Sequence, residues 1–565
     1  MIFSPTTERS FSVRSLYLAL YGLLALGAIT MVVPFVIMVT GSVDPRAHPE
    51  GEMFFPTYLT DRDVLWERYL ETKYHGSEDY YRLAWNAPSV SFRQAGPSLH
   101  AEDDATTLAL WKRFLVEQKP ADHLFAVGFL RSTSRMPSTN GFAFRDWLLK
   151  KYGSLEDLNT ALGTKFLRVS RIKVPLIRLD GAPLSKTPLV LGFQEFAATL
   201  PQSHKFAWDV GGYFRACILP RLSGLDVADY NAKFQTAYTS YAEVPFPATA
   251  PAIGLEPWFF FVSQLLRPDF IALTPIGQER CNASGISRED FIKGLAKPED
   301  VAVVSADTLF AEWCLQQGSP GARIPQASLD REAFSMESGF WRNQFLTLNY
   351  RLVIDEILVH GTAIRNTLIL VLLSVCGALI INPLAAYALS RYKMRASFHI
   401  LLFFLATIAF PAEVTMIPVF LQLKEFHLLN TFGALVLPGL ANGFSIFLLK
   451  GFFDSLPREL YEAAELDGAS EWTMFWVITM NLSKPILAVM ALGAFVGAYG
   501  TFFYALILAP DPSMWTIMVY IYQLRQSVDT PVVYASLLLT AIPTMVIFVT
   551  CQNIILKGIV VPSDK

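Results

Sequence analysis

Long apolar runs alternate with polar stretches along this chain, and their lengths set the first expectations. Met1 to Ser15 is polar and carries Arg9 and Arg14. Leu16 to Thr40 is then apolar for about 25 residues, enough to cross a bilayer at roughly 1.5 Å per residue. That run is longer than the h-region of a secretory signal and no A-x-A cleavage pattern follows it, so it reads as an uncleaved first span, residues 16–42, with a cytoplasmic N-terminus, residues 1–15. From Val43 to about Gly361 the pattern turns polar and mixed for roughly 320 residues. With the N-terminus inside, this block is expected outside the membrane. Its short helical patterns, Pro and Gly punctuation and many aromatic residues mark a folded domain rather than a linker.

Tyr350 to His360 reads as an amphipathic approach helix, and five further apolar runs follow: Thr367 to Leu389, Phe398 to about Ile417, Phe432 to Phe453, Ile486 to Leu508 and Val533 to Ile555. The positive cluster Arg391, Lys393 and Arg395 belongs inside, as does Lys557 with the tail 559–565, so six spans leave both termini cytoplasmic. The expected fold is therefore mainly α. It is a six-helix polytopic membrane core, residues 362–558 plus the first span, with a large extracytoplasmic domain at 43–361 inserted between the first and second spans. That insert reads as mostly helical, with an α+β arrangement left open.

Within the insert, Phe144 to Phe166 places Trp147, Leu148, Tyr152, Leu155 and Leu158 at helical spacing, interrupted at Gly153, which predicts two helices and a turn. A fainter copy begins at Phe214 and aligns Asn231 and Thr236 with Asn159 and Thr164, and Trp66 to Trp85 is a candidate third. Ser455 to Pro485 is an amphipathic stretch set between two apolar runs. Ser455 is expected to cap a helix Leu456 to Asp467 with Pro457 in its first turn, and Glu459, Glu462 and Glu465 suit the positive end of the helix dipole. Leu460, Ala463 and Ala464 share a face small enough for close approach of a partner, Gly468 permits a turn, and a second helix covers Trp472 to Ile478.

These residues resemble the coupling loop of ABC importer membrane subunits: Glu462, Ala463, Ala464, then Gly468 and Ile478, fall at that family's spacing. Met480 and Asn481 stand where the family has Leu and Pro, while Lys484 and Pro485 match its sequel. Pro34-Phe35, Gly41-Ser42, Asn366, Ala385 to Ala388, Arg391-Tyr392, Pro411 to Thr431 and Gln552 to Gly558 also resemble the carbohydrate-importer branch, similar to the second membrane subunit of maltose-type systems. The resemblance covers Leu16 to Ser42 and about Asn366 to Gly558, and leaves the insert outside it. It implies a permease subunit in a bacterial cytoplasmic membrane, working with a separate ATP-binding cassette ATPase, an extracytoplasmic solute-binding protein and a second permease subunit, for which the maltose-type resemblance favours a different chain while another copy of this one stays open. It also implies ATPase coupling through Glu462, Ala463, Ala464, Asp467, Gly468 and Ile478.

Composition agrees with a membrane protein: 52% of the 565 residues are hydrophobic and 17% charged. A formal net charge of -3 gives no footprint for nucleic acid. No P-loop is present, so ATP hydrolysis is assigned to a partner chain; no catalytic residue, metal ligand or cofactor is nominated. Of the five cysteines, Cys217, Cys281 and Cys314 fall in the insert, where one disulfide among them is left open. Asn382, Asn442 and Ser445 are candidate substrate-pathway residues, because polar groups at membrane depth face a bundle interior or water; helix-to-helix hydrogen bonding is the competing role. Phe144 to Phe166 also resembles a helical stretch of some glycosidases related to family 42 β-galactosidases. A membrane-anchored glycosidase, or a sensor using the outer domain, therefore stands as an alternative, but Glu156 and Asp157 are adjacent on one helix and point apart.

Overall fold

A computed structural model describes residues 11–44, 55–85, 91–92, 105–130, 138–166, 169, 172, 174–175, 179, 187–354, 362–392, 394–407, 411–526 and 528–557. The expectations for 1–10, 355–361, Lys393 and 558–565 lie outside the described residues. The chain divides into two compact units, Met1–Ser42 with Tyr350–Lys565, and Val43–Asn349.

In the first unit, three helices among the described residues are long and apolar enough to cross a membrane: Tyr17–Ser42, Ala363–Arg391 and Thr530–Gln552. Their outward faces are apolar, with Leu18, Met31, Leu368 and Phe548 exposed, as a hydrocarbon surrounding requires. Two bent pairs raise the number of crossing segments to as many as five: Phe432–Gly439 with Gly443–Asp454, bent by 49°, and Glu471–Leu482 with Lys484–Tyr499, bent by 83°. The sharper bend falls at buried Ser483, just before Pro485 in the first turn of the next helix.

Besides Phe432 to Phe453, bent as above, two further expected single spans are in two pieces. Phe398 to Ile417 is divided between an 11-residue helix, Ser397–Thr407, and a separate helix, Ala412–Glu425. Pro411 stands at the start of the second piece with an extended ψ of 138°. Proline has no N–H to continue an incoming ladder. Ile486 to Leu508 is likewise split, because the helix from Lys484 ends at Tyr499 and Phe503–Leu508 is a separate short helix. Ser42 Oγ and Tyr350 Oη lie 2.7 Å apart, tying the end of the first helix to the residue where the unit resumes.

Among its described residues the second unit is helical with two antiparallel strand pairs. Strand β1 (Phe125–Val127) pairs with β2 (Lys205–Ala207), and β3 (Ile271–Leu273) with β4 (Val301–Val303). Its core is aromatic: Trp66, Tyr69, Trp111, Trp258 and Trp341 are fully buried. The expected pair of helices around Gly153 is present as Thr139–Tyr152 and Leu155–Leu162, with Gly153 at φ 87° and Ser154 capping the second helix. The expected copy at Phe214 shares its closing turn. Asn159 Nδ2 donates to the Phe166 carbonyl at 2.8 Å while its Oδ1 accepts from Thr164 Oγ1 and the Phe166 amide. Asn231 makes the same three bonds to Tyr238 and Thr236. None of Cys217, Cys281 and Cys314 is joined in a disulfide, so the bridge left open by the sequence is not formed.

Candidate functional site

The stretch 455–485 folds as helix, turn, helix. Its first helix is Glu459–Leu466, shorter than the expected Leu456 to Asp467. Ser455 does not cap it: that residue closes the preceding helix Gly443–Asp454, and its hydroxyl donates to the Phe452 carbonyl at 2.6 Å. Arg458 occupies the cap position without a side-chain bond. Pro457 lies in the connection, which suits its fixed φ better than a helix interior does. Gly468 follows at φ 79°, a conformation that costs any L side chain about 1 kcal/mol or more, and its amide donates to the Glu465 carbonyl at 3.0 Å. The second helix starts one residue earlier than expected, capped by Ser470, and continues through a wide turn at Met474–Thr479 to Leu482.

Two faces of this unit differ in kind. Inward, Tyr461, Met474 and Phe475 are buried against Tyr387, Leu449 and Phe453, and Ala464 and Ile478 pack half-buried on the same cluster. Tyr461 is the keystone of that face. Its hydroxyl lies 2.8 Å from Thr479 Oγ1 on the second helix, and the Arg391 guanidinium stacks 3.3 Å from its ring centroid. Arg391 also donates to the Phe453 carbonyl at 3.3 Å, and Tyr387 Oη donates to Glu471 Oε2 at 2.9 Å. Outward, Glu462, Ala463 and Asp467 are exposed, together with Leu460, Leu466 and Trp472. Leu466 is 89% and Trp472 64% exposed, a large apolar display on a segment held rigidly from behind.

The structure thus splits the sequence-predicted loop residues. Glu462, Ala463, Asp467 and Gly468 lie on the free side, whereas Ala464 and Ile478 help to hold the unit down. Sequence reasoning passed over Tyr461, Arg391, Leu466 and Trp472. Arg391 enters the sequence reading only through its charge and the Arg391-Tyr392 resemblance, and Tyr461 stands three residues before Ala464, a helical spacing that places the two side by side.

Asn382, Asn442 and Ser445 are brought together as one hydrogen-bonded relay. Buried Asn382 donates to Ala378 in its own helix at 3.0 Å, and its Oδ1 accepts from the Asn442 amide at 2.8 Å. Asn442 Oδ1 in turn accepts from the Ser445 amide at 2.9 Å, capping the helix that leads to the loop. These bonds join two helices at the 49° bend.

In the inserted unit, Glu156 and Asp157 occupy the first turn of their helix, where Ser154 binds the amide and carboxyl of Asp157. A different carboxyl pair converges: Asp209 and Asp307 come close enough for the charge of one to act on the other at the start of the helix Val210–Tyr213, where the Gly212 amide donates to Asp209 at 2.6 Å. Burial pushes the Asp307 carboxyl up to about 7, the neighbouring Asp209 charge adding to the effect, and burial raises Asp209 too. A glycosidase pair stands about 5 Å or more apart to admit the sugar. The cavity beside Asp209, lined by Tyr80, Trp208 and Tyr213, measures about 10 Å³, room for one water. Among the described residues no group of three metal-ligating side chains occurs.

The class defined here is a multi-pass helical membrane protein that presents a buttressed helix-turn-helix between apolar segments. Residues 351–560 match the family described as the binding-protein-dependent transport system inner membrane component. The chain is 33% identical over 210 residues to permease protein ORF2 of an ABC transporter from Caldicellulosiruptor sp., covering 36% of this chain and 76% of the relative. It is 30% identical to the sn-glycerol-3-phosphate transport system permease protein UgpE of Yersinia pestis, covering 36% of this chain and 74% of that one. It is 29% identical to the diacetylchitobiose uptake system permease protein NgcG of Streptomyces coelicolor, covering 34% and 66%. A crystal structure of a bacterial ABC transporter that imports the acidic polysaccharide alginate aligns at a TM-score of 0.33 and 26% identity, over 36% of this chain and 78% of that one. The chain belongs to this ABC transporter permease family, and is a transporter membrane subunit rather than an enzyme.

Proposed function

We infer that the chain is the permease subunit of an ABC importer for a sugar or oligosaccharide, driven by a separate ATPase that docks on the 455–485 loop. The observation that carries this reading is the outward face of Leu460, Ala463, Leu466 and Trp472 on a helix pair whose inward face is clamped by Arg391 and Tyr387. A rigid lever needs both: an apolar face for the partner, and a firm link to the membrane helices it moves. Carbohydrate is favoured by the importer-branch residues and by the diacetylchitobiose permease among the relatives. In the same reading six spans surround an alternating-access path with a second permease chain, both termini are cytoplasmic, and the inserted unit faces outward to meet a solute-binding protein. Asn382, Asn442 and Ser445 line or brace that path. Among the described residues the converging carboxyl pair, Asp209 and Asp307, lacks the opening a glycosidase needs, and the sensor alternative gains no support from the relatives.

Ala464 is partly packed inside, so a bulky residue there disrupts the loop itself; Leu466→Asp tests docking alone. The full chain carrying Leu466→Asp is expected to insert normally but to lose at least tenfold of the co-purifying ATPase. Gly468→Pro, which removes the amide bonded to Glu465 and cannot adopt φ 79°, is expected to abolish ATP-driven uptake. Full ATPase recovery and normal uptake in both variants would overturn the reading.

A further inference from the structure

The two Asn-anchored turns of the inserted unit differ at one telling position. After Leu162 the helix of the first copy ends on Gly163 at φ 64°, left-handed. After Phe234 the second copy ends on Gln235 at φ 53°, the same left-handed region. Glycine takes this conformation freely and glutamine resists it, yet both turns are fastened by the same three Asn bonds. A side chain held there against its own backbone preference invites the question of what it reaches.

Gln235 is exposed and lines an open cavity of about 540 Å³, within the roughly 300–1,000 Å³ of small-molecule sites. Phe234 and Phe259 line it too, both half-buried against the aromatic core, Phe234 with the Tyr230 ring centroid 4.6 Å away and the Lys233 ammonium 5.3 Å from its own centroid. Gly254, at φ 72°, supplies bare backbone to the wall, because a Cβ there would stand 2.3 Å from the Tyr230 hydroxyl. At the rim, Lys233 and Glu256 pair at 2.7 Å, so the cavity carries polar groups without a net charge.

Two aromatic faces, a primary amide that both donates and accepts, and a neutralised ion pair select a ligand with apolar C–H faces, many hydroxyls and no charge. We propose that the inserted unit binds a neutral saccharide in this cavity, with Phe234 and Phe259 against the ring C–H faces and the Gln235 amide on the hydroxyls. The proposal rests on the carbohydrate reading above for its ligand class, but not on the loop. It gives the insert a task within the chain: holding substrate ahead of translocation.

The test is saturation-transfer NMR on the full chain in lipid nanodiscs, without any ATPase, using maltose, cellobiose and diacetylchitobiose at millimolar concentration. At least one is expected to bind, and Phe259→Ala and Gln235→Gly are each expected to weaken it at least tenfold. Gln235→Gly suits the left-handed turn, so it should leave thermal stability equal or higher while binding falls. That combination separates a ligand contact from a structural one. Failure of all three sugars to bind, or binding unchanged within twofold in both variants, overturns the proposal. Because the assay contains no ATPase, its outcome is independent of Leu466→Asp: loss of the docking reading leaves this cavity standing, and an empty cavity leaves the docking reading standing.

Discussion

Asp307 carries a proton that its unfolded counterpart gives up. Its folded value of about 7 lies well above the unfolded value near 3.8, so between about pH 4 and 7 the folded state holds a proton the unfolded chain has released. Stability from this group is therefore lost as pH rises through that window, and is level above it. Buried His75 and His204 act oppositely. Burial pushes each down to about 4, the unfolded chain binds their protons up to about 6.5, and stability rises with pH over that range. Replacing Asp307 with Asn removes the descending contribution of that one carboxyl. The variant's advantage over the parent should grow by about 1 kcal/mol per pH unit from pH 4 to 7 and then hold constant. Hydrogen-exchange protection of the β2 and β4 amides, measured on the full chain at pH 5, 6, 7 and 8, reads this directly. Parallel pH profiles for the two proteins would show that Asp307 does not hold its proton to about pH 7 in the folded state.

Among the elements, the loop helix pair is held to the helix that ends at Arg391 in part by one cation lying over one ring. Arg391→Ala removes the guanidinium from Tyr461 and the bond to the Phe453 carbonyl together, a loss of about 1–3 kcal/mol of local anchoring. The expected result is an ATPase that still co-purifies, because the outward face is intact, but more ATP hydrolysed per solute moved. Arg391→Lys should recover little, since an ammonium cannot both stack flat on Tyr461 and reach Phe453. An unchanged ATP-to-solute ratio in Arg391→Ala would remove the clamp from the mechanism. Much of this element was legible beforehand: Gly468 marks the turn because few other residues accept φ 79°, and the Glu-Ala-Ala spacing marks the family. What was not legible depends on neighbours far along the chain. Ser455 looked like a cap because Ser before Pro often is one, but the preceding helix had already claimed it. Tyr461 carries no signal of its own in the sequence, because its partners, Arg391 some seventy residues earlier and Thr479 on the second helix, come together only in the fold. In the same way, hydropathy alone made Phe398 to Ile417 a single span, and only the backbone at Pro411 shows the division.

Over the whole molecule, the inserted unit is closed on itself by a buried charge. Asp330 accepts from Lys73 Nζ at 2.7 Å, Tyr74 Oη at 2.5 Å, Trp85 Nε1 at 2.8 Å and Gln326 Nε2 at 2.8 Å. Lys73 also donates to the Ser203 carbonyl at 2.8 Å. One carboxylate thus joins the beginning of the unit, its middle and the helix Gln326–Val353 near its end. Neither partner of the ion pair has solvent to turn to: the side chains are 1% and 0% exposed. Removing only Asp330 leaves an ammonium stranded in the interior, which costs about 3–5 kcal/mol, whereas replacing both ions with apolar residues of similar size costs far less. Asp330→Ala should therefore open residues 43–349 to limited proteolysis, and Lys73→Met with Asp330→Leu should restore most of the resistance. The membrane-embedded unit has its own packed clusters around Tyr387 and Tyr499. It is expected to survive the same digestion and to keep its ATPase, even when the insert is cut. Co-loss of the ATPase in Asp330→Ala would show instead that the two units melt as one, and the insert would then have to be counted as part of the transport machinery's stability rather than as an attachment to it.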